Sequence, residues 1–206
     1  MKSKKVGIID YGAGNLGSIY NSMRYLNTEA KVLYTPKDLD QFSHLILPGV
    51  GSFGKLAENL SRKNWPENIQ DFVRKGKNLL GICVGMQLLF ESSEESKNSK
   101  GLSLIKGKFR LFDDSFNLPI PHMGFNEVNH SNTEIWKGIK NKSPFYFIHS
   151  FKVKNTDDKT ILSKTFYGEE FISFVEKENI FGSQFHPEKS HLVGLKLLKN
   201  FLEINN

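Results

Sequence analysis

Three residues far apart in the chain, Cys83, His186 and Glu188, have the types and local settings of a nucleophile, its base and the group that orients the base. Cys83 sits in Asn78-Leu79-Leu80-Gly81-Ile82-Cys83-Val84-Gly85-Met86-Gln87, the Gly-x-Cys-x-Gly form of a nucleophile elbow. The apex of such an elbow lies in a strained turn, crowded by the residues two before and two after it. Gly81 and Gly85 lack the Cβ atoms that would clash there. A thiol at the apex stands at the start of the next helix, where backbone N–H groups and the helix dipole favour the thiolate. The competing reading is a structural cysteine buried between two turn glycines. The second stretch, Gln184-Phe185-His186-Pro187-Glu188-Lys189-Ser190, weighs against it. Pro187 biases His186 toward an extended conformation, in which residues two apart point the same way. His186 and Glu188 then face one site, with the carboxylate setting the imidazole's orientation. His44, His122, His130, His149 and His191 lack this combination.

Acyl transfer also needs two N–H donors where negative charge develops. One is expected from Val84, the residue after the nucleophile. The other is expected from the turn Pro48-Gly49-Val50-Gly51, which glycine leaves free to rotate. Gly12-Ala13-Gly14-Asn15 superficially resembles a phosphate loop. It has neither a third glycine nor the Lys-Ser/Thr ending, so nucleotide binding there is rejected.

These residues need elements to hold them. Lys5–Ile9, Ala30–Leu33, His44–Leu47 and the run into Cys83 read as buried strands. Leu16, Ile19, Tyr20, Met23 and Leu26 fall at helical spacing after the first. Thr35-Pro36 reads as the start of a helix after the second. Pro66 to Lys75 reads as a helix stopped by Gly76, and Met86 to Glu91 as the start of the helix after the elbow. Strands alternating with helices indicate an α/β fold with a mostly parallel sheet and helices on both faces. Active sites of such sheets gather beyond the strands' carboxyl ends, where Asp10, Pro48–Gly51 and Cys83 all lie. Ser92–Lys100 is polar and reads as a mobile loop. The pieces 108–111, 127–129, 145–151, 160–166, 171–175 and 180–184 read as hairpins of an antiparallel extension. An amphipathic helix, roughly His191 to Ile204, closes the chain. No repeat or linker divides residues 1–206, which are expected to form a single domain.

Composition narrows the classes. Hydrophobic residues make up 38% and aromatics 12% of 206 residues, enough for a packed core and too apolar for a disordered chain. The formal charge of +6 is spread, with no basic block longer than Lys4-Lys5, so neither nucleic acid nor membrane is expected as a partner. A single cysteine excludes an intramolecular disulfide and a cysteine-based zinc cluster, and suits a reducing, cytoplasmic location. The apolar run Val6-Gly7-Ile8-Ile9 stops at Asp10, too short for a signal peptide. No metal and no cofactor is expected.

Gly81-Ile82-Cys83-Val84-Gly85-Met86-Gln87 together with Gln184-Phe185-His186-Pro187-Glu188 resembles the class I (triad-type) glutamine amidotransferases. Further motifs resemble, within that family, the glutaminase subunits of imidazole glycerol phosphate synthase. They are Asp10-Tyr11-Gly12-Ala13-Gly14-Asn15-Leu16, Leu47-Pro48-Gly49-Val50-Gly51-Ser52-Phe53-Gly54, Pro121-His122-Met123-Gly124-Phe125-Asn126, Tyr146-Phe147-Ile148-His149-Ser150-Phe151 and His186-Pro187-Glu188-Lys189-Ser190. The resemblance implies the family's flavodoxin-like fold and hydrolysis of glutamine to glutamate and ammonia by the triad Cys83, His186 and Glu188. It implies oxyanion donors at Val50 and Val84 and glutamine contacts at Gly51, Gln87 and Ser150. It also implies a heterodimer with a (β/α)₈-barrel cyclase, which uses the ammonia to make imidazole glycerol phosphate and AICAR in histidine biosynthesis. Asn15, Phe125, Tyr146 and Lys189 match interface or gate positions of that complex. Three departures stand out: Phe125 where the subfamily usually has Trp, Phe151 where it has Tyr, and Val84 where Leu is common. Because Phe125 and Phe151 lie where the family meets its cyclase or substrate, a second implied reading has the same glutaminase feeding a surface-sugar amidotransferase through a diverged cyclase-like partner.

Overall fold

Runs of four or five residues with no solvated face can be satisfied only inside a sheet covered on both sides, and three such runs form its centre. The structure, a computed structural model, describes residues 5–156 and 160–204; Lys4 of the basic pair lies outside them. The central strands are β1 (Lys5–Ile9), β2 (Glu29–Leu33), β3 (His44–Leu47), β4 (Asn78–Ile82) and, far downstream, a strand at Ile180–Ser183. β3, β4 and that last strand are buried along their whole length. Between the first four lie α1 (Leu16–Tyr25), α2 (Phe53–Arg62) and α3 (Trp65–Arg74), and α4 (Val84–Leu89) follows the elbow.

β5 (Ser92–Ser93), β6 (Ser96–Lys100), β7 (Lys108–Leu111), β8 (His122–Val128), β9 (Ser143–His149), β10 (Phe151–Lys152), β11 (Ile161–Tyr167) and β12 (Glu169–Lys177) come next, so the strand at 180–183 is β13, and α5 (His191–Glu203) ends the chain. The main sheet runs β11-β12-β13-β4-β3-β1-β2. β2, β1, β3, β4 and β13 are mutually parallel, and β12 is antiparallel to both of its neighbours. The β1-to-β2 and β3-to-β4 crossovers move in opposite directions along the sheet. Right-handed connections therefore put α1 on one face and α2–α3 on the other.

Several expectations are corrected. Ser92–Lys100 is not a loop: β5 pairs with β6, and Ser92 also lies beside Lys108 of β7. Ser96 Oγ and Ser99 Oγ are 2.8 Å apart, and the carboxylate of Glu95 accepts from Phe53 N at 2.7 Å, so these three polar side chains make internal bonds while Glu94, Lys97, Asn98 and Lys100 stay exposed. No α-helix starts at Thr35: Asp38 is left-handed (φ 57°), and only a 3₁₀ turn, Leu39–Gln41, follows. The helix after the elbow begins earlier than Met86 and stops at Leu89, because the carbonyls of Leu88 and Leu89 accept from Leu102 and Leu104 instead. The antiparallel extension is the β11–β12 hairpin; β8–β9 stands apart as its own ribbon, and β7 and β10 join β5 and β6 in a small second sheet. α2 is an element the sequence reading passes over.

Candidate active site

The sequence of the elbow dictates its geometry. Cys83 takes φ 55°, ψ −113°, a strained conformation for a residue with a side chain. That turn drives its glycines against their neighbours. A Cβ on Gly85 would lie 1.9 Å from Leu47 O, one on Gly81 2.6 Å from Gly85 O, and one on Gly49 2.4 Å from Gly85 N. The elbow and the turn after β3 therefore pack backbone on backbone, which brings Val50 and Gly51 beside Cys83.

A cavity of about 280 Å³ opens at this point, with Cys83, Val84, Gln87, Val50, Gly51 and Ser150 in its wall. His186 enters from the other side. Its N–H donates to Tyr146 O at 2.8 Å, and its carbonyl accepts from Ser190 Oγ at 2.6 Å, while Ser190 Oγ accepts from Tyr146 N at 3.0 Å. Pro187–Lys189 is a 3₁₀ turn rather than the extended segment expected. The turn still delivers Glu188: its Oε1 lies 2.8 Å from His186 Nδ1, with both side chains 1% exposed. Asn15 Nδ2 donates to the same oxygen at 2.7 Å. His186 Nε2, the nitrogen facing away from Glu188, has no hydrogen-bond partner among the described residues. Burial lowers the pKa of His186, but the neighbouring Cys83 thiol and Glu188 carboxylate outweigh it and raise the group to about 10.

The sulfur of Cys83 lies between a carbonyl and a carboxamide. It donates to Ile148 O at 3.8 Å and accepts from Gln184 Nε2 at 3.8 Å. Both expected oxyanion donors are already engaged. Val50 N donates to Ala13 O at 2.9 Å, and Val84 N to Gly49 O at 3.3 Å. The first loop braces this turn a second time, through Tyr11 Oη, which donates to Pro48 O at 2.5 Å. Tyr11 is fully buried, and burial, helped by the charge of Cys83, holds its pKa above the usual phenol range.

Every triad, oxyanion and substrate position read from the sequence meets at this site. Phe125, Tyr146 and Lys189 form one surface cluster: Lys189 Nζ lies 5.7 Å from the Tyr146 ring, and Phe125 and Tyr146 pack edge to face at 5.6 Å. Asn15 joins them only through Glu188. Glu95, Ile148 and His149 also line the cavity and were missed. Glu95 sits in a run whose polarity reads as solvent-exposed, and only its contact with Phe53, 42 residues away, gives it a place.

Comparison with known proteins adds an independent line. The sequence model of the family "Glutamine amidotransferase class-I" matches residues 7–204. The chain is 44% identical to the imidazole glycerol phosphate synthase subunit HisH of Helicobacter hepaticus, over 99% of this chain and 100% of that one. It is 46% identical to the HisH subunit of Methanocaldococcus jannaschii, over 97% and 99%. Among solved structures it resembles a glutamine amidotransferase (TM-score 0.77, 18% identity, 96% and 97% covered). It also resembles a chain of PurLQS from Thermotoga maritima (TM-score 0.77, 22% identity, 98% of each chain). At those identities the structural likeness speaks for the fold.

Proposed function

The chain belongs to the class I glutamine amidotransferases, and from this premise we propose that it hydrolyses glutamine to glutamate and ammonia and passes the ammonia to a cyclase subunit that makes imidazole glycerol phosphate and AICAR. The convergence of Cys83 and His186 on one cavity at the carboxyl ends of β4 and β13, with Glu188 bonded to His186 from behind it, carries this reading. Cys83 Sγ attacks the side-chain amide carbon. His186 Nε2 takes the thiol proton and returns it to the departing nitrogen, so the C–N bond breaks, ammonia leaves and a thioester remains. His186 then draws a proton from water, whose oxygen bonds to the thioester carbon; the C–S bond breaks, glutamate leaves, and the proton on His186 returns to the Cys83 sulfur. Glu188 holds the imidazole in register throughout, and Asn15 holds Glu188. Gly51, Gln87 and Ser150 contact glutamine, and Glu95 supplies the negative charge that an α-ammonium group requires.

Val50 N and Val84 N stabilise the tetrahedral oxyanion. Val50 N and Gly49 O belong to one peptide, so a single rotation of it frees Val84 N from Gly49 O and swings Val50 N–H away from Ala13 O. The resting turn is thus closed, and the isolated subunit hydrolyses glutamine slowly until its partner binds.

The partner is a (β/α)₈-barrel cyclase bound as a heterodimer through the cluster of Phe125, Tyr146 and Lys189. Relatives named as imidazole glycerol phosphate synthase subunits favour this partner over a surface-sugar amidotransferase. No helix of the described residues is long and apolar enough to cross a membrane, and the lone free thiol suits the cytoplasm.

The test is glutamate release by the subunit alone, then with the cyclase and its nucleotide substrate. Slow release alone and strong stimulation by the pair is the expected result; a folded protein that releases no glutamate in either case overturns the reading. Cys83→Ala should lower ammonia release by at least roughly 10³-fold while leaving cyclase binding intact.

A further inference from the structure

Gln184 is completely buried, carries a carboxamide, and has no part in the chemistry described so far. Its position follows from the sheet. β13 runs parallel to β4 with Ser183 beside Ile82, and Cys83 N donates to Ser183 O at 2.7 Å, so the next residues along, Gln184 and Cys83, are neighbours at the carboxyl ends of the two strands. Gln184 N is tied to Ser173 O at 2.9 Å, which keeps the chain extended there. Alternation along this segment sends Phe185 the other way, into an aromatic cluster where its ring lies 4.3 Å from that of Phe145. Gln184 and His186 are left on the side of Cys83.

The carboxamide is part of a short relay. Gln87 Nε2 donates to Gln184 Oε1 at 3.4 Å, and Gln184 Nε2 donates to Cys83 Sγ at 3.8 Å. Gln87 lines the cavity, and its own Oε1 is buried without a partner among the described residues. Gln184 does not line the cavity and stands behind the sulfur. Burying a carboxamide costs free energy that a methionine of similar length would avoid, so packing alone does not account for it. As a thiolate the sulfur only accepts, and the facing carbonyl of Ile148 then offers it nothing.

We propose that Gln184 is a catalytic residue of this site: its N–H is a donor to the Cys83 sulfur that stabilises the thiolate, with the amide held in the donating orientation by Gln87. A hydrogen bond to the charged form favours that form. The proposal rests on Cys83 being the nucleophile. It assigns Gln184 to the reacting atom rather than to glutamine, so losing the donor reduces kcat and leaves KM unchanged.

Because Cys83 is the only cysteine, alkylation by iodoacetamide reports its thiolate without reference to any substrate. The experiment follows the alkylation rate of the full chain between pH 5 and 9.5 for wild type, Gln184→Met and Gln184→Glu. Gln184→Met removes the donor. Gln184→Glu keeps shape and the bond from Gln87 but sets a carboxylate against the sulfur. The expected result is a rise in the inflection pH in both variants, larger for Gln184→Glu, with the rate at pH 7 falling about tenfold in Gln184→Met. A wild-type inflection in folded Gln184→Glu overturns the proposal and leaves Gln184 a packing residue; that nearly isosteric variant decides the matter should Gln184→Met fail to fold. Glutamate release that persists after full alkylation of the wild type instead removes Cys83 as nucleophile, a separate failure.

Discussion

Two histidines are built into this molecule as neutral groups while a third, a short distance away, has its charged form favoured by its neighbours. His149 Nδ1 lies 2.8 Å from the carbonyl of Phe151, which only accepts, so that nitrogen carries the proton. His149 Nε2 is then the acceptor for His122 Nδ1 at 3.1 Å, and His122 Nε2 accepts from Asn126 Nδ2 at 3.2 Å. A second proton on either ring finds no partner, and burial lowers His122 to about 4 and His149 to about 3. His186 differs only in facing a carboxylate and a thiol. The two kinds titrate with opposite sign. His122 and His149 bind protons near pH 6.5 when unfolded but not when folded, so their contribution is whole above about pH 6.5 and is lost as pH falls toward 4 and 3, at about 1.4 kcal/mol per pH unit each. His186 is raised, so its contribution is whole below about pH 6.5 and is lost as pH rises through about 10. Denaturant unfolding across pH should therefore show greatest stability near neutrality. His149→Gln should flatten the acid limb and Cys83→Ala the alkaline one; unchanged limbs would remove these groups as the cause. At this scale the meeting of Cys83, His186 and Glu188 was legible in the sequence, because each carries a local signature. It was blind to Glu95, Tyr11 and the His122–His149 pair, whose roles come from partners across 42, 37 and 27 residues.

An element-scale feature, the backbone-on-backbone contact between the elbow and the end of β3, is what sets Cys83 beside the turn at 48–51. Gly85→Ala would place a methyl group 1.9 Å from Leu47 O, and neither partner has a flexible side chain to move aside. The expected cost is about 3 kcal/mol or more, at the upper end of overpacking, read as a fall in the unfolding midpoint. Gly17 is the contrast. It lies exposed in α1 with nothing within 4 Å of its Cβ position, so Gly17→Ala should stabilise the isolated subunit by about 0.5–1 kcal/mol. Equal effects at both sites would refute the contact as the reason for Gly85. The same distinction governs what could be read beforehand. β1, β3 and β4 are apolar runs that nothing but a covered strand can satisfy, and they stand where expected. β5 and β6 were invisible because their residues are polar, and two of the serines meet each other. The 3₁₀ turn at 39–41 was mistaken for a helix because Thr35-Pro36 carries a true start signal, whereas the left-handed Asp38 that prevents propagation has no sequence signature.

For the molecule as a whole, charge and apolar surface are distributed differently, and the difference bears on partner binding. The formal charge of +6 is scattered, but exposed apolar side chains concentrate on one face of the β8–β9 ribbon. Met123 pairs across the ribbon with Ile148 and Phe125 with Tyr146, and Met123 and Phe125 remain 60% and 50% exposed. The opposite face of the ribbon is core, with Phe147 and His149 buried. Phe125 is further anchored by stacking on His191 at 5.2 Å, and neighbouring Leu192 is 74% exposed. An aromatic group held flat by a stacked neighbour loses little freedom on binding and suits the centre of an interface. The ribbon also carries the backbone bond from His186 N to Tyr146 O, so whatever docks here pushes on the strand that holds the His186 imidazole. Phe125→Glu should therefore weaken cyclase binding by about 30-fold or more, as loss of a central anchor does. It should also reduce partner-stimulated glutamate release while leaving the slow basal release and the alkylation profile of Cys83 unaltered. Titration calorimetry with the cyclase, run beside the glutaminase assay, separates the outcomes. Undiminished affinity would move the docking face elsewhere, and lost affinity with full stimulation at saturating cyclase would leave the face in place but sever it from His186.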